Sequence, residues 1–174
     1  MLDKITNIGT GFTHKPEKIF KAKSRAYVAK GFMRSSEIPD NITALLALYE
    51  GANAKFLPFG TLDNSGSNIT WTQKTAKTDF YTIGLGYEVV ATIIGLTLSP
   101  EMLDFVTNIG DDEYTFLFIP DGTEDIFMIL NGVTVTTEGN IGILDGDNFS
   151  KITFKMTKEA NKLTDVVKFV ELEN

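Results

Sequence analysis

Three clusters of carboxylates are the first residues in the sequence that could do chemistry. Carboxylate oxygens are the ligands that calcium and magnesium prefer, and a suitably spaced pair could serve a glycosidase. The clusters are Asp111, Asp112 and Glu113; Asp121, Glu124 and Asp125; and Asp145 with Asp147. None has the spacing of an EF-hand loop, and acids are common in turns. We therefore interpret them as solvated turn residues and expect no metal and no cofactor.

The residue types that most enzymes use are scarce. The chain has no cysteine, which excludes disulfides, thiolate zinc sites and a cysteine nucleophile, and its one histidine is His14. His14 has no serine and aspartate arrangement beside it, and the Gly84–Gly86 segment lacks the third glycine of a dinucleotide fingerprint. We predict no catalytic residues and a protein that is not an enzyme, with a small hydrolase as a disfavoured alternative.

The elements that would position any site are mostly short strands. Turn signals recur between apolar alternating segments along the 174 residues, which is typical of a β-sandwich or barrel. Helical spacing predicts two short flanking helices, one over 36–51 capped by Asp40 or Asn41, and one beginning at Ser99-Pro100. We therefore predict a mainly β fold, sandwich-like or barrel-like, with one or two short flanking α-helices.

Two segments predict hairpins. Asn131-Gly132 lies between two β-forming segments and is a strong signal for a tight turn. The segment over 72–87 begins polar and then becomes apolar, so it predicts a hairpin extension with an apolar tip. That tip could pack on another subunit or fold back on its own chain. Trp71, the one tryptophan, alternates like a core residue.

The net charge of −7 is unevenly distributed. Residues 1–34 hold eight basic and two acidic residues, a net charge of +6, and residues 35–174 hold eight basic and 21 acidic residues, a net charge of −13. The basic N-terminal arm could bind nucleic acid, dock on the acidic body of a neighbouring copy, or be a solvated face. No targeting segment explains it, and no apolar segment has the length of a membrane span, so we expect a soluble protein.

The order of segments over 54–172 resembles the tail tube (major tail) proteins of long-tailed bacteriophages. The resemblance rests on AKFLPFGTLDNSGSNITWTQ, TDFYTIGLG and YEVVATIIGLTLSPEMLDFV, followed by YTFLFIPDGTEDIFMILNGVTVT and FSKITFKMT. The N-terminal 35–50 residues show no comparable match. The resemblance implies a structural virion protein of the tail, made in the host cytoplasm. It also implies hexameric rings stacked into a tube whose acidic lumen conducts double-stranded DNA without binding it.

On this hypothesis the partners are other copies of the chain and other tail proteins, with no membrane. The subunit-interface candidates lie at the hairpin and in the arm: Phe80, Tyr81, Ile83, Tyr87, Lys18, Lys21, Lys23 and Arg25. The lumen candidates are turn acids: Asp111, Asp112, Glu113, Asp121, Glu124 and Asp125. Deleting residues 1–34 is expected to leave a folded monomer that cannot polymerise. The alternative is a monomeric β-sandwich module for binding or virion decoration, which typically presents an aromatic surface platform.

Overall fold

The computed structural model describes residues 24–60, 62, 66–95, 99–120, 122, 125–140 and 151–172. Eight strands and three short α-helices make up most of this part of the chain. In sequence order they are β1 (Ser24–Lys30), α1 (Ile42–Tyr49), β2 (Leu57–Gly60), β3 (Asn68–Lys77), β4 (Thr82–Gly95), α2 (Pro100–Asn108), β5 (Glu113–Pro120), β6 (Ile126–Asn140), β7 (Lys151–Ala160), α3 (Leu163–Val166) and β8 (Val167–Glu171).

All eight strands belong to one antiparallel sheet. Seven follow the order β2-β1-β5-β6-β7-β4-β3, and β8 pairs with β6 beside this path. The long strand β6 changes partner along its length: residues 126–130 pair with β8, and residues 134–140 pair with β7. The mainly β prediction is confirmed, and the strands form one continuous sheet that does not close into a barrel.

The sheet curls strongly, because residues from distant strands meet in its core. Phe59 on the edge strand β2 lies 4.7 Å, centroid to centroid, from Phe154 on β7, four positions away in the strand order. Four strand spacings in a flat sheet measure about 19 Å, so only curvature can bring these rings together. Phe59 also contacts Phe116 edge-on at 5.2 Å, which places this aromatic cluster at the centre of the concave side.

Strand β5 is buried on both faces, and each face carries a helix. Phe116 and Phe118 lie in the larger core with Met102 of α2, whereas Leu117 and Ile119 lie in the second core with Leu45 of α1. Continuous burial of a strand matches its run of apolar residues, Tyr-Thr-Phe-Leu-Phe-Ile. The two helices therefore cover opposite faces of the sheet centre.

Both predicted helices form where their caps indicate. The Asn41 side chain accepts a hydrogen bond from the Ala44 N–H at 2.9 Å, so Asn41 is the N-cap of α1. The Ser99 side chain accepts one from the Met102 N–H at 3.2 Å at the start of α2. The pKa of Glu101 is lowered by hydrogen bonds to its own backbone N–H and to Ser99, as expected for an acid in a first helical turn.

The hairpin predicted at Asn131-Gly132 is wrong, because β6 runs through both residues without turning back. Asn131 is buried, and its Oδ1 accepts a 2.7 Å hydrogen bond from the Met33 N–H while its Nδ2 donates to the Met33 carbonyl at 2.9 Å. Gly132 has φ +59, and the register with β5 shifts at this point. The pair therefore forms a bulge that bends β6 where its partner changes.

Candidate assembly surface

The hairpin of β3 and β4 extends beyond the rest of the sheet. The neighbouring strand β7 ends at Ala160, which pairs with Tyr87, and the part of β4 before Tyr87 pairs only with β3. Thr82, at the other end of that part, is five positions from Tyr87, so the extension projects by roughly 15 Å at about 3.3 Å per residue. The projecting segment falls within the range 72–87 that the sequence indicated.

The tip of this hairpin carries large apolar side chains in contact with solvent. Phe80 is 92% exposed and Tyr81 is 62% exposed, while Leu85 and Ile83 are 59% and 43% exposed. Tyr87, at the base, is half-buried. Exposed apolar residues scattered singly are ordinary, but four within six positions of a projecting hairpin form a patch. We call Phe80, Tyr81, Ile83 and Leu85 the tip patch.

The turn that presents the tip patch is held in one conformation by Thr78. The Thr78 N–H donates to the Tyr81 carbonyl at 2.9 Å, and the Thr78 hydroxyl donates to the same carbonyl at 3.0 Å. The hydroxyl oxygen also accepts from the Tyr81 N–H at 3.1 Å. Local bonds of this kind fix a turn without help from the core. Phe80 is therefore presented on an ordered support, which lowers the entropy lost on docking.

The base of the hairpin is tied to the end of β7. Gly86 has φ +113, and a Cβ built there would lie 2.6 Å from the Ala160 carbonyl oxygen, so only glycine fits without movement. Lys74 on β3 forms an ion pair with Glu159 on β7. The hydrogen bond within this ion pair, from Lys74 to Glu159, raises the pKa of Lys74 above its ordinary value. Leu85 is an extra residue in the β3–β4 register, a bulge that increases the local twist.

Trp71 does not pack in the core, so the prediction from its alternation is wrong. It pairs with Val89, which is fully buried, and it therefore shares the core-side face of the sheet. However, β3 is the last strand of the sheet, and 57% of the Trp71 side chain is exposed. The alternation correctly predicted that Trp71 lies on the core-side face of the sheet. It could not predict that no other strand or helix buries Trp71 at the edge of that face.

The predicted lumen acids lie at opposite ends of β5. Asp111 and Asp112 precede the strand and Glu113 is its first residue, whereas Asp125 comes after its last residue, Pro120. Asp121 and Glu124 lie outside the described residues. The strand has eight residues, so the two groups are separated by on the order of 23 Å and do not form one patch.

Two of these acids are paired with lysines of the same chain. The Asp112 carboxylate lies 2.6 Å from the Lys30 Nζ, and Glu113 forms an ion pair with Lys158. The pKa of Lys30 is raised by its hydrogen bond to Asp112. Asp111 is exposed. The neighbouring ammonium groups therefore reduce the repulsion that Asp112 and Glu113 would exert on DNA phosphates.

The basic arm is in part a strand of the sheet. Residues 24–30 form β1, which is paired on both sides, with β2 and with β5. Arg25 is half-buried and pairs with Ile119, whereas Lys18, Lys21 and Lys23 lie outside the described residues. A deletion of residues 1–34 would therefore remove an internal strand, and a deletion ending before Ser24 is the one that tests the arm.

Sequence reasoning missed a groove beside α1. The segments Gly31–Met33 and Lys55–Phe56 line it together with Leu48 of α1, and its volume is about 440 Å³. Of its lining residues, Met33 and Phe56 are buried, and Phe32 is 60% exposed. These residues come from three separate parts of the sequence, so no local pattern could have indicated them.

The mouth of the groove is charged. The Lys55 Nζ lies 3.7 Å from the Glu37 carboxylate, and 74% of the Lys55 side chain is exposed. Lys30 also lines the groove, and it is paired with Asp112. The two hydrogen bonds between Met33 and Asn131 hold the Gly31–Met33 wall against β6. We call this feature the α1 groove.

Within the described ranges, no group of three or more histidine, cysteine or acidic side chains is placed to hold a metal ion. The helices in those ranges include none with the length and apolarity needed to cross a bilayer.

Comparison with solved structures finds a distant neighbour in a phage-tail-like particle. No protein-family model and no curated protein sequence matches the chain. A chain in the cryo-EM structure of the anti-feeding prophage (AFP) baseplate, 6-fold symmetrised, superimposes with a TM-score of 0.47 at 7% sequence identity. The match covers 93% of this chain and 100% of that chain. At this TM-score and identity the likeness carries no argument about function or assembly.

Proposed function

We propose that the chain is a structural subunit of a phage-like tail that assembles with other copies of itself through the tip patch. Its role is mechanical, with no catalysis and no cofactor. The tail-tube form of the proposal, hexameric rings stacked around a lumen that conducts double-stranded DNA, comes from the sequence resemblance. The location that follows is the virion tail, after synthesis in the host cytoplasm, with other tail proteins as further partners.

The single observation that carries the proposal is the exposed tip on an ordered hairpin. Phe80 is 92% exposed although its turn is fixed by the bonds of Thr78. Leaving an aromatic ring in water forfeits roughly 1.5–3 kcal/mol that burial would give. A flexible loop could fold back and bury the ring, but this hairpin holds it away from the sheet. Such a geometry is expected of a group that is buried on a partner.

Charge gives the proposal a second, weaker support. The net charge of −7 would keep phosphates away from a wall built of these subunits, by like-sign repulsion. The basic residues Lys18, Lys21, Lys23 and Arg25 are proposed to bridge to the acidic surface of an adjacent ring. Because such contacts are screened by salt, stacking of rings is expected to weaken as ionic strength rises.

Electron microscopy of the purified chain tests the tube form. Negatively stained particles are expected to be rings or tubes with a central hole at low salt. A chain that begins at Ser24 keeps β1 and lacks most of the arm, so it is expected to form rings that stack poorly. Tubes of normal length from that shortened chain would contradict the bridging role of the arm.

A monomeric binding module remains the second candidate, because Trp71 is exposed. An aromatic side chain on the open edge of a sheet is the platform that sugar-binding modules use, and 57% of Trp71 faces solvent. Trp71 is the only tryptophan in the chain, so its fluorescence reports on that surface alone. A glycan that shifts this fluorescence, together with a strict monomer at high protein concentration, would favour the module over the subunit.

A further inference from the structure

We infer that Asn131-Gly132 is a deamidation site that the fold protects, and that its reaction makes unfolding of this chain irreversible. No other asparagine of the chain is followed by glycine. Glycine has no Cβ to shield its backbone nitrogen, and its free backbone adopts the bent conformations that ring closure needs. The inference is independent of the proposed assembly, because it concerns the centre of the sheet and not an exposed surface.

The reaction needs only the chain and water. The backbone nitrogen of Gly132 loses its proton and attacks Cγ of Asn131, and the C–N bond of the side-chain amide breaks as ammonia leaves with that proton. The product is a five-membered succinimide ring. Water then adds to either of its carbonyl carbons, which gives aspartate or isoaspartate at position 131. The ammonia takes up the proton that the new carboxylic acid releases, so an uncharged amide has become a carboxylate.

The attacking nitrogen is engaged in the folded chain. The Gly132 N–H donates a hydrogen bond to the Thr115 hydroxyl at 3.2 Å. The same hydroxyl donates to the Gly31 carbonyl at 2.7 Å, so it is held from the other side as well. Thr115 and Gly132 are both buried, which keeps hydroxide and other bases away from the proton that must be removed.

The amide that would be attacked is also held. Asn131 Oδ1 accepts a hydrogen bond from the Met33 N–H at 2.7 Å, and Nδ2 donates to the Met33 carbonyl at 2.9 Å. These bonds fix the plane of the amide, and turning Cγ toward the Gly132 nitrogen would break both. Asn131 is 8% exposed, so water is poorly placed to replace the broken bonds. Reaction therefore requires that β6 first separates from Met33.

Neither product fits the site that Asn131 occupies. An aspartate there would put a carboxylate oxygen where Nδ2 now donates, facing the Met33 carbonyl oxygen. The hydrogen bonds that the described part of the chain makes to Asn131 come from two carbonyls, an N–H and a hydroxyl, and none of these groups is a cation. A buried carboxylate without a cation beside it is strongly destabilising. Isoaspartate adds an atom to the backbone of β6 and so disturbs its register with β7.

A chain that unfolds and reacts before it refolds is therefore lost from the native population. With full protection, the deamidation rate in the folded protein equals the rate in the unfolded chain multiplied by the unfolded fraction. That fraction is on the order of 10⁻³ or smaller for ordinary domains. Deamidation at position 131 is thus expected to be at least about 10³-fold slower in native buffer than in denaturant.

Peptide mass spectrometry of the full chain measures both rates, in native buffer and in guanidinium chloride at the same mildly alkaline pH. The mass gain of an acid over an amide, located by fragment ions, identifies reaction at Asn131. Isomerisation of Asp121-Gly122 and Asp145-Gly146 changes no mass and is not counted. Gly132→Ala is the matched control in denaturant, where no variant has to fold, and it should react much more slowly. Equal rates in native buffer and in denaturant would overturn the inference.

A mildly destabilised variant separates global unfolding from a local opening. Ile93→Val removes one methyl group from the core at a position on β4, a strand that is not paired with β6. Its unfolded fraction, taken from the denaturation curve, should rise several-fold. The deamidation rate in native buffer should rise by the same factor. A rate that stays constant while the unfolded fraction rises would overturn the link between unfolding and reaction.

Refolding tests the irreversibility. The chain is held in denaturant for increasing times and then diluted, and size-exclusion chromatography separates native protein from the remainder. The native fraction is expected to retain Asn131, and the modified chains are expected in the remainder. Asn131→Asp supplies a uniform sample of one product and should have a lower denaturation midpoint than the matched control Glu138→Gln, at an exposed position of β6. Modified chains that refold in proportion to their share would overturn this part.

Discussion

Large apolar side chains are buried at the centre of the sheet and exposed at the tip of its β3–β4 hairpin. On β5, Phe116 and Leu117 point to opposite faces and both are fully buried. At the hairpin tip, Phe80 and Tyr81 are also neighbours and both are mostly exposed. The centre is stabilised by burying apolar area on two sides, whereas the tip is ordered by local hydrogen bonds and buries little.

This difference separates stability from assembly within one chain. Residues of the sheet centre contribute to the free energy of unfolding and have no direct access to a partner. Residues of the tip contribute little to that free energy and are free to contact a partner. Substitutions in the two regions should therefore change different measurements, and each prediction below tests that separation.

The largest effect is expected at the centre. Phe116→Ala removes a fully buried ring that packs edge-on against Phe59. The free energy of unfolding should fall by about 3–5 kcal/mol, as in other large-to-small changes in cores. Urea denaturation followed by circular dichroism measures it. A loss under about 1 kcal/mol would contradict the packing described for this cluster.

A smaller loss is expected at Asn131. Asn131→Ala leaves the Met33 N–H and carbonyl without their buried partner, which should lower the free energy of unfolding by about 2–3 kcal/mol. Glu138→Gln, at an exposed position of the same strand, is the matched control and should leave the free energy of unfolding nearly unchanged.

Next in size is the base of the hairpin. Gly86→Ala puts a Cβ near the Ala160 carbonyl oxygen and forces a side chain into a positive φ, so we expect a loss of about 1–2 kcal/mol. The rate of hydrogen exchange should increase more for the backbone amides of residues 74–86 than for those of β5. Gly110→Ala, where a new Cβ meets nothing within 4 Å, is the control and should leave the free energy of unfolding unchanged.

The smallest effect on stability is expected from the ion pair at the same base. The pKa of Lys74 is raised in the folded protein by its hydrogen bond to Glu159, so its contribution is fully present below the ordinary pKa of 10.5. That contribution is lost as the pH rises through the raised value. The difference in urea midpoint between the wild-type chain and Lys74→Met should therefore vanish at high pH. A difference that grew with pH would contradict the assignment.

Features that depend on neighbouring residues could be predicted from the sequence. The N-caps at Asn41 and Ser99 act within one helical turn, and the apolar tip of the hairpin is contiguous in the chain. The prediction of a hairpin at Asn131-Gly132 failed because a tight turn and a bulge favour the same residue types. The hydrogen bonds that select the bulge are made with Met33, which lies 98 positions away in the sequence. The exposure of Trp71 and the α1 groove depend on which strands are neighbours, which local patterns do not encode.

The central claim is that an exposed aromatic tip joins copies of this chain, and Phe80→Ala tests it most directly. The measurement is light scattering of the wild-type chain and the variant over a concentration series, with Leu103→Ala on α2 as the exposed apolar control. We predict that the wild-type and control masses grow with concentration while Phe80→Ala remains a monomer with an unchanged urea midpoint. A Phe80→Ala chain that assembles as the wild type does would contradict the claim.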